Sequence, residues 1–416
     1  MFDLLRNLDS KDKFVLLIGL FTFVKIRLVG VISVSELLLL SMYVFYPSIR
    51  FVENKYVKRL FIFAALWCLG SFISNIYNDS TQVNLIKGVI FILLFIAIIP
   101  PIFNLFSDKP ARLLIFLIGS GVSYYFSPYF NPDEEIAERL MSDVYQYYRY
   151  LAFINALGFF LYYKGYHKIG VFLCFGFAFY GLFNMARNPF LISSLAVLIL
   201  LVCRTINGSY EDIILQYRSK MPKIFLTIFI TLVSVSFIYE TLVLNGTLGD
   251  EAKKKYIVQS ARGGVLEGGR GETFMGIELI RRNPIIGYGS YAKDKTGSFF
   301  SEYYREHGFK NGVVRLKDRL LPSHSHIVGA WMQDGILGGL FWLYVLWMCW
   351  KIFISGCFMF ERRLLCLLMF QFCSLLWNIM FSPLTDRIST AAFIITFFVI
   401  YDNQKKGFYQ SEIVER

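Results

Sequence analysis

Three of the four histidines fall between Arg262 and Gly338, in the longest polar stretch of the chain. His324 and His326 sit in PSHSHIVGAWMQDGILGG, just ahead of an apolar run. A neutral imidazole, with an unperturbed pKa of about 6.5, can take a proton from a hydroxyl near neutral pH. Two other roles suit a histidine there. It could cap the helix that follows, or it could bind zinc, for which an i,i+2 pair without a nearby cysteine or third histidine is a poor ligand set. Upstream lies Gly268-Gly269-Arg270-Gly271-Glu272. Glycines let backbone N–H groups approach a phosphate closely, and an arginine can fork onto two phosphate oxygens. A solvated surface loop would carry the same residues, and no Gly-Lys-Ser/Thr follows to make a P-loop. Arg262, Arg281 and Arg282 add charge to the same stretch. A third cation, Arg187, precedes Asn188-Pro189 in FNMARNPFLISS. Proline suits a first helical turn, so Arg187 is expected at a helix N-terminus, where cation and helix dipole together favour an anion.

Apolar spans must position these residues. Hydrophobic residues make up 56% of the chain and charged ones only 17%, and mean hydropathy is +0.52; soluble domains carry roughly 25% charge. Continuous apolar runs of about 17 to 25 residues indicate transmembrane helices in a lipid bilayer and exclude the alternating segments of a β-barrel. The reading is an all-α, polytopic helical bundle of about twelve spans, near 13–30, 32–48, 57–77, 85–106, 111–127, 146–164, 168–184, 189–203, 223–244, 327–353, 363–382 and 388–402. Residues 1–245 then carry spans 1–9, 246–326 a large loop, 327–402 spans 10–12, and 403–416 a tail. Six basic segments, among them 49–58, 204–223 and the tail, fall on one side, which the positive-inside rule makes cytoplasmic, with both termini. The net charge of +12 therefore implies no nucleic-acid partner. Lys25, Arg27, Arg187, the 262–282 arginines and Arg387 are cations on the opposite side. A cation at membrane depth costs about 2.5–3.5 kcal/mol on insertion scales, so such residues either bind something anionic or snorkel to lipid phosphate. The seven cysteines lie in or beside apolar spans and read as small buried hydrophobes without disulfides. Segment 128–145, with Asp133, Glu134 and Glu135, reads as a solvated acidic loop.

Taken in order, the arginine after the middle spans, the large loop opening with Gly-Arg, the Pro284-x-x-Gly287-x-Gly289 turn, and a histidine eleven residues before Gly335 of Asp-Gly-Ile-Leu-Gly form a pattern. It resembles the O-antigen ligase and O-antigen polymerase superfamily, bacterial membrane glycosyltransferases acting on undecaprenyl-pyrophosphate-linked glycans. The resemblance covers the topology of the whole chain, with its motifs near 180–200 and 262–340. It implies that Arg187 and Arg270 hold the lipid-linked pyrophosphate and that His324 activates the acceptor hydroxyl. Arg262, His326, Arg387 and Arg27 are further substrate-binding candidates. His324-Ser325, followed by His326, replaces the more common His-Asn, which leaves two histidines as candidates for the base. The implied activity is a polymerase joining lipid-linked repeat units, inverting, with neither metal nor cofactor, in a bacterial inner membrane with its site facing the periplasm. The alternatives are a ligase delivering the glycan to lipid A-core and a flippase for lipid-linked sugars. A chain-length regulator protein is a further partner implied by the resemblance alone.

Overall fold

A computed structural model describes the backbone of residues 8–27, 30–46, 52–131, 138, 141, 143–183, 186–204, 210–260, 265–306, 317–354, 362–384 and 386–414. The helices are α1 (Ser10–Leu20), α2 (Val34–Phe45), α3 (Lys55–Tyr77), α4 (Gln82–Phe106), α5 (Arg112–Phe126), α6 (Asp143–Tyr163), α7 (His167–Tyr180), α8 (Arg187–Arg204), α9 (Tyr210–Leu244), α10 (Asp250–Ser260), α11 (Val265–Arg282), α12 (Ser298–Glu306), α13 (His326–Ile354), α14 (Leu365–Phe381) and α15 (Arg387–Val414). Among the described residues, two short antiparallel strand pairs interrupt them: the hairpin of β1 (Lys25–Arg27) with β2 (Val31–Ser33), and β3 (Lys293–Asp294) with β4 (Arg319–Leu320), which flank α12. Arg262, His307 and the Asp133-Glu134-Glu135 run lie outside the described residues.

Among the described residues, six helices are long and apolar enough to cross a membrane: α3, α4, α5 with its 3₁₀ extension to Phe130, α8, α13, and α14 with the turn before it. The helical bundle read from the sequence is therefore present, while length and composition of the described residues support six of the twelve expected spans. The expected span over 13–30 is the largest departure. Its helix stops after 11 residues at Leu20, and the chain turns into the β1–β2 hairpin. Lys25 and Arg27 account for this locally, since they sit in the hairpin instead of in an apolar helix. The runs at 32–48 and 168–184 become shorter apolar helices of 12 and 14 residues.

Large side chains fill the centre of the bundle. Phe95, Phe341 and Trp342 are fully buried, and Trp67 packs against all three. The six described cysteines are free, five of them buried, as small hydrophobes should be. At one end, Arg112 of α5 is 2% exposed and donates from Nε to Asp12 Oδ1 at 2.8 Å, from Nη1 to Asp108 Oδ1 at 2.6 Å and from Nη2 to Asp9 Oδ2 at 3.0 Å. Asp12 is 1% exposed. Removing one partner of a buried pair typically costs about 3–5 kcal/mol, and here the lower end is expected, because Lys109 Nζ, 2.6 Å from Asp12 Oδ2, keeps that carboxylate partnered. Arg112→Ala is thus expected to lower the melting temperature of the purified protein sharply. An unchanged melt would show that this end is not tied through Arg112.

The other end carries the polar stretch. There α11, α12 and the start of α13 share a small core of Met275, Leu279, Phe299, Phe300, Tyr303 and Met332. Asp294 caps α12, its carboxylate accepting from the Gly297 and Phe300 N–H groups at 2.9 and 3.1 Å.

Candidate active site

The turn Pro284–Gly289 plugs into a break in α13. Gly335, at φ +68°, interrupts the helix, and the turn supplies partners for the backbone groups freed there. Tyr288 N–H donates to Met332 C=O at 2.9 Å, Gly289 N–H to Gln333 C=O at 2.9 Å, and Ile336 N–H to Ile285 C=O at 3.1 Å. A Cβ on Gly335 would stand 2.0 Å from the Ile285 carbonyl oxygen, and one on Gly287 2.6 Å from Gly335 N. Two motifs separated by some fifty residues in the sequence are therefore halves of one joint. The C-terminal end of α3 clamps it, with Ser74 Oγ donating to Gln333 C=O at 2.7 Å and Asn78 Nδ2 to Gly287 C=O at 3.1 Å. Gly335→Ala combines a left-handed backbone with a backbone clash, and strained positions of this kind cost about 1–3 kcal/mol before any clash. The expected result is a poorly folded protein with a lowered melting temperature; a variant that melts like wild type would contradict the joint.

The joint fixes the start of α13 beside α11. The Gly268–Gly271 run lies in α11, where two helical pieces, Val265 onward and the one ending at Arg282, meet across a bend at Arg270 (φ −134°, ψ 22°). The bend turns the Arg270 side chain onto α14. Its guanidinium lies 4.7 Å from the Trp377 ring centroid and donates to the Phe381 carbonyl at 3.1 Å. Burial holds its pKa below the ordinary guanidinium value, and the positive charge of Arg187 lowers it further. Arg187 does begin a helix, α8, as expected, and its guanidinium packs 4.9 Å from the Tyr239 ring centroid. Tyr148 senses both arginine charges. Two guanidinium groups are thus brought near each other, and no carboxylate pairs with Arg270 among the described residues. An anion lying near both would interact favourably with each. Beside them is a cavity of about 270 Å3 between α6, α8 and α14, lined by Tyr148, Asn188, Trp377, Asn378 and Ser382 among others.

His324 stands just before α13 and is 56% exposed at its side chain. Its Nδ1 pairs with the Glu272 carboxylate, two residues along α11 from Arg270. Thr273 Oγ1 also donates to the His324 carbonyl at 3.2 Å. The hydrogen bond from His324 holds the Glu272 carboxyl below its ordinary value, against burial, with help from the charges of His324 and of Arg319, whose guanidinium is 3.9 Å away. A base oriented by a carboxylate follows the general logic of activated nucleophiles. Glu272 is the residue sequence reasoning missed. It was visible only as the last residue of a glycine-rich run, and nothing in that run points to position 324.

The other predicted site residues go elsewhere. His326 is buried, 4% exposed; its Nδ1 donates to the Ser382 carbonyl at 2.6 Å and its ring packs 4.8 Å from that of Trp342. Among the described residues, His324 is the one of the two histidines with a carboxylate partner. Arg387 forms an ion pair with Glu36, Nη2 to Oε2 at 2.9 Å, and Glu36 also completes a capping box with Ser33 at the start of α2. Its charge is therefore already neutralised. Arg27 is exposed on β1, in register with Val31, whose carbonyl accepts from Arg387. Among other cations ahead of α13, Arg319 packs over Phe300 and bonds the Tyr304 hydroxyl, and Lys317 is exposed. Compared with known protein families, characterised proteins and solved structures, the chain matches none of them.

Proposed function

We propose that the chain is a membrane glycosyltransferase of the polysaccharide polymerase kind. It transfers a glycan from undecaprenyl pyrophosphate to a sugar hydroxyl of a second lipid-linked repeat unit. The observation that carries this reading is the pairing of Arg187 and Arg270 at one end of the bundle, with the His324–Glu272 pair two residues along the same helix from Arg270. Arginines suit a leaving pyrophosphate, because they stabilise the charge that develops as the bond breaks. In the step proposed, the acceptor oxygen attacks the anomeric carbon and its proton passes to His324. The bond from that carbon to the pyrophosphate oxygen breaks, and its electron pair leaves with undecaprenyl pyrophosphate. Attack in line with the departing oxygen inverts the anomeric configuration. The arginines supply the positive charge, so the proposed reaction needs no metal.

The same reading places the chain in a bacterial inner membrane with the site end toward the periplasm and both termini inside. The alternation of helix ends supports it. Partners at the site end include the C-terminal end of α3, the start of α13 and the C-terminal end of α14. The start of α1, the C-terminal end of α4 and the start of α5 meet at the opposite end. The test is purified protein with a synthetic undecaprenyl-pyrophosphate repeat unit in the presence of EDTA. A ladder of polymer is expected. Transfer only when lipid A-core is added would make the chain a ligase, and no transfer to either acceptor from a cognate donor would overturn the enzyme reading.

A further inference from the structure

The pair of His324 and Glu272 has a third member. His324 Nδ1 meets Glu272 Oε2, while the second carboxylate oxygen, Oε1, lies 3.9 Å from Arg319 Nη2. One carboxylate is thus shared by an imidazole and a guanidinium. The three side chains come from different elements: Glu272 from α11, Arg319 from β4 and His324 from the segment before α13. They are 38%, 35% and 56% exposed, so solvent and small reagents reach all three.

Arg319 is anchored from several sides. It stands opposite Asp294 where β4 pairs with β3. Its guanidinium lies 4.8 Å from the ring centroid of the fully buried Phe300, and Nη1 donates to the Tyr304 hydroxyl at 2.8 Å. The Asp294 carboxylate is occupied at the start of α12, where it accepts from the Gly297 and Phe300 N–H groups. The charges further along α11 and α12 pair with one another: Arg281 with Glu278, and Arg282 with both Glu278 and Glu302. Lys293, Arg305 and Asp318 are exposed, and His326 is turned to the Ser382 carbonyl. Among the described residues, the cationic groups within 4 Å of the Glu272 carboxylate are therefore His324 and Arg319.

This arrangement bears on the proton. With Nδ1–H turned to the carboxylate, the neutral His324 ring keeps its lone pair on Nε2. A carboxylate alone beside an imidazole favours the protonated ring, and a ring that already holds its proton is no base. A cation at the other oxygen opposes the protonated ring and keeps the carboxylate in one orientation. We propose that Arg319 is a positioning residue of the site: it fixes Glu272 in the orientation that meets His324, and it limits how firmly Glu272 holds a proton on that ring. That the proton comes from an acceptor hydroxyl rests on the glycosyltransfer reading; the coupling of the three side chains does not.

The experiment follows the modification of His324 by diethyl pyrocarbonate, which reacts with the neutral imidazole, across about pH 5 to 8. The purified, detergent-solubilised protein is used, and peptide fragmentation in a mass spectrometer separates His324 from the buried His326. In Arg319→Gln the pH midpoint of modification is expected to rise by about half a pH unit, as for the loss of a unit charge in water-exposed surroundings. Glu272→Gln is expected to move the midpoint the opposite way, and Arg319→Lys, which keeps the charge, to leave it near that of wild type. A role in packing alone would not give shifts of opposite sign. Thermal melts report folding, and Arg319→Met, whose apolar stem still covers Phe300, takes the place of a glutamine variant that fails to fold. A midpoint that stays or falls in a folded variant lacking the charge would overturn the proposal. In the transfer assay the acid limb of the pH–rate profile should move with the midpoint; a limb that stays put would overturn the catalytic part. Midpoint shifts in a protein that transfers no glycan would overturn the glycosyltransfer reading and leave the coupling standing.

Discussion

Replacing His324 by alanine is expected to reduce polymer formation by about 10²–10⁴-fold, the usual contribution of a positioned general base, with little change in the melting temperature. The ring is more than half exposed, so its loss opens no cavity. His326→Ala is the informative contrast. That ring is buried against Trp342 and bonded to Ser382, so the substitution should lower stability first and activity as a consequence. Glu272→Gln tests the pair itself: the amide keeps the shape but not the charge, and turnover should fall by a smaller factor than in His324→Ala. The pH behaviour follows from the direction of the Glu272 shift. Its carboxyl is held below the ordinary value of 4.5. The stabilisation it contributes is therefore complete above that value and is lost only as pH falls through the lower folded value. The His324–Glu272 contact should accordingly survive mild acid. A His324→Ala enzyme that retains full turnover would remove His324 from the mechanism, and a collapse of the melt would show that its role is structural.

Replacing Arg270 by alanine is expected to cost about 10²–10³-fold in turnover, as for the loss of one preorganised donor to developing negative charge, and to leave the fold intact or firmer. Arg270 is partly buried with its pKa depressed by burial and by Arg187. Burial and the nearby Arg187 both disfavour this charge, so removing it is expected to cost the fold little. A side chain that weakens the resting protein but supports turnover is characteristic of a binding site. Arg270→Lys sharpens the test. Lysine keeps the charge but loses the planar fork and the stacking on Trp377, so it should recover only part of the lost activity. Arg112 gives the opposite behaviour, since it is satisfied by Asp9, Asp12 and Asp108 and its removal should destabilise. An Arg270→Ala protein that melts lower and still turns over normally would make Arg270 a structural residue and contradict the pyrophosphate site.

Apolar run length was enough to reveal the helices around the site, because a bilayer core demands length and continuity whatever the packing. The start of α8 at Arg187 and the rise of α13 just after His324 were likewise readable from proline and polar-to-apolar boundaries. Run length was a poorer guide where two cations interrupt it: Lys25 and Arg27 turn the first expected span into a short helix and a hairpin. Charge identity revealed which cations were unusual and could not say which were already paired. Arg387 and Arg270 look alike as isolated arginines before apolar spans, yet Glu36, more than 300 residues away, neutralises one of them, while α14 presents only a carbonyl and aromatic faces to the other. Glycine spacing marked Gly287 and Gly335 as a motif without showing that they touch. Pattern along the chain reports local conformation and burial, since these depend on near neighbours and on solvent. Which histidine meets Glu272 and which arginine meets Glu36 depend on how distant helices pack against one another, and only the tertiary structure decides that.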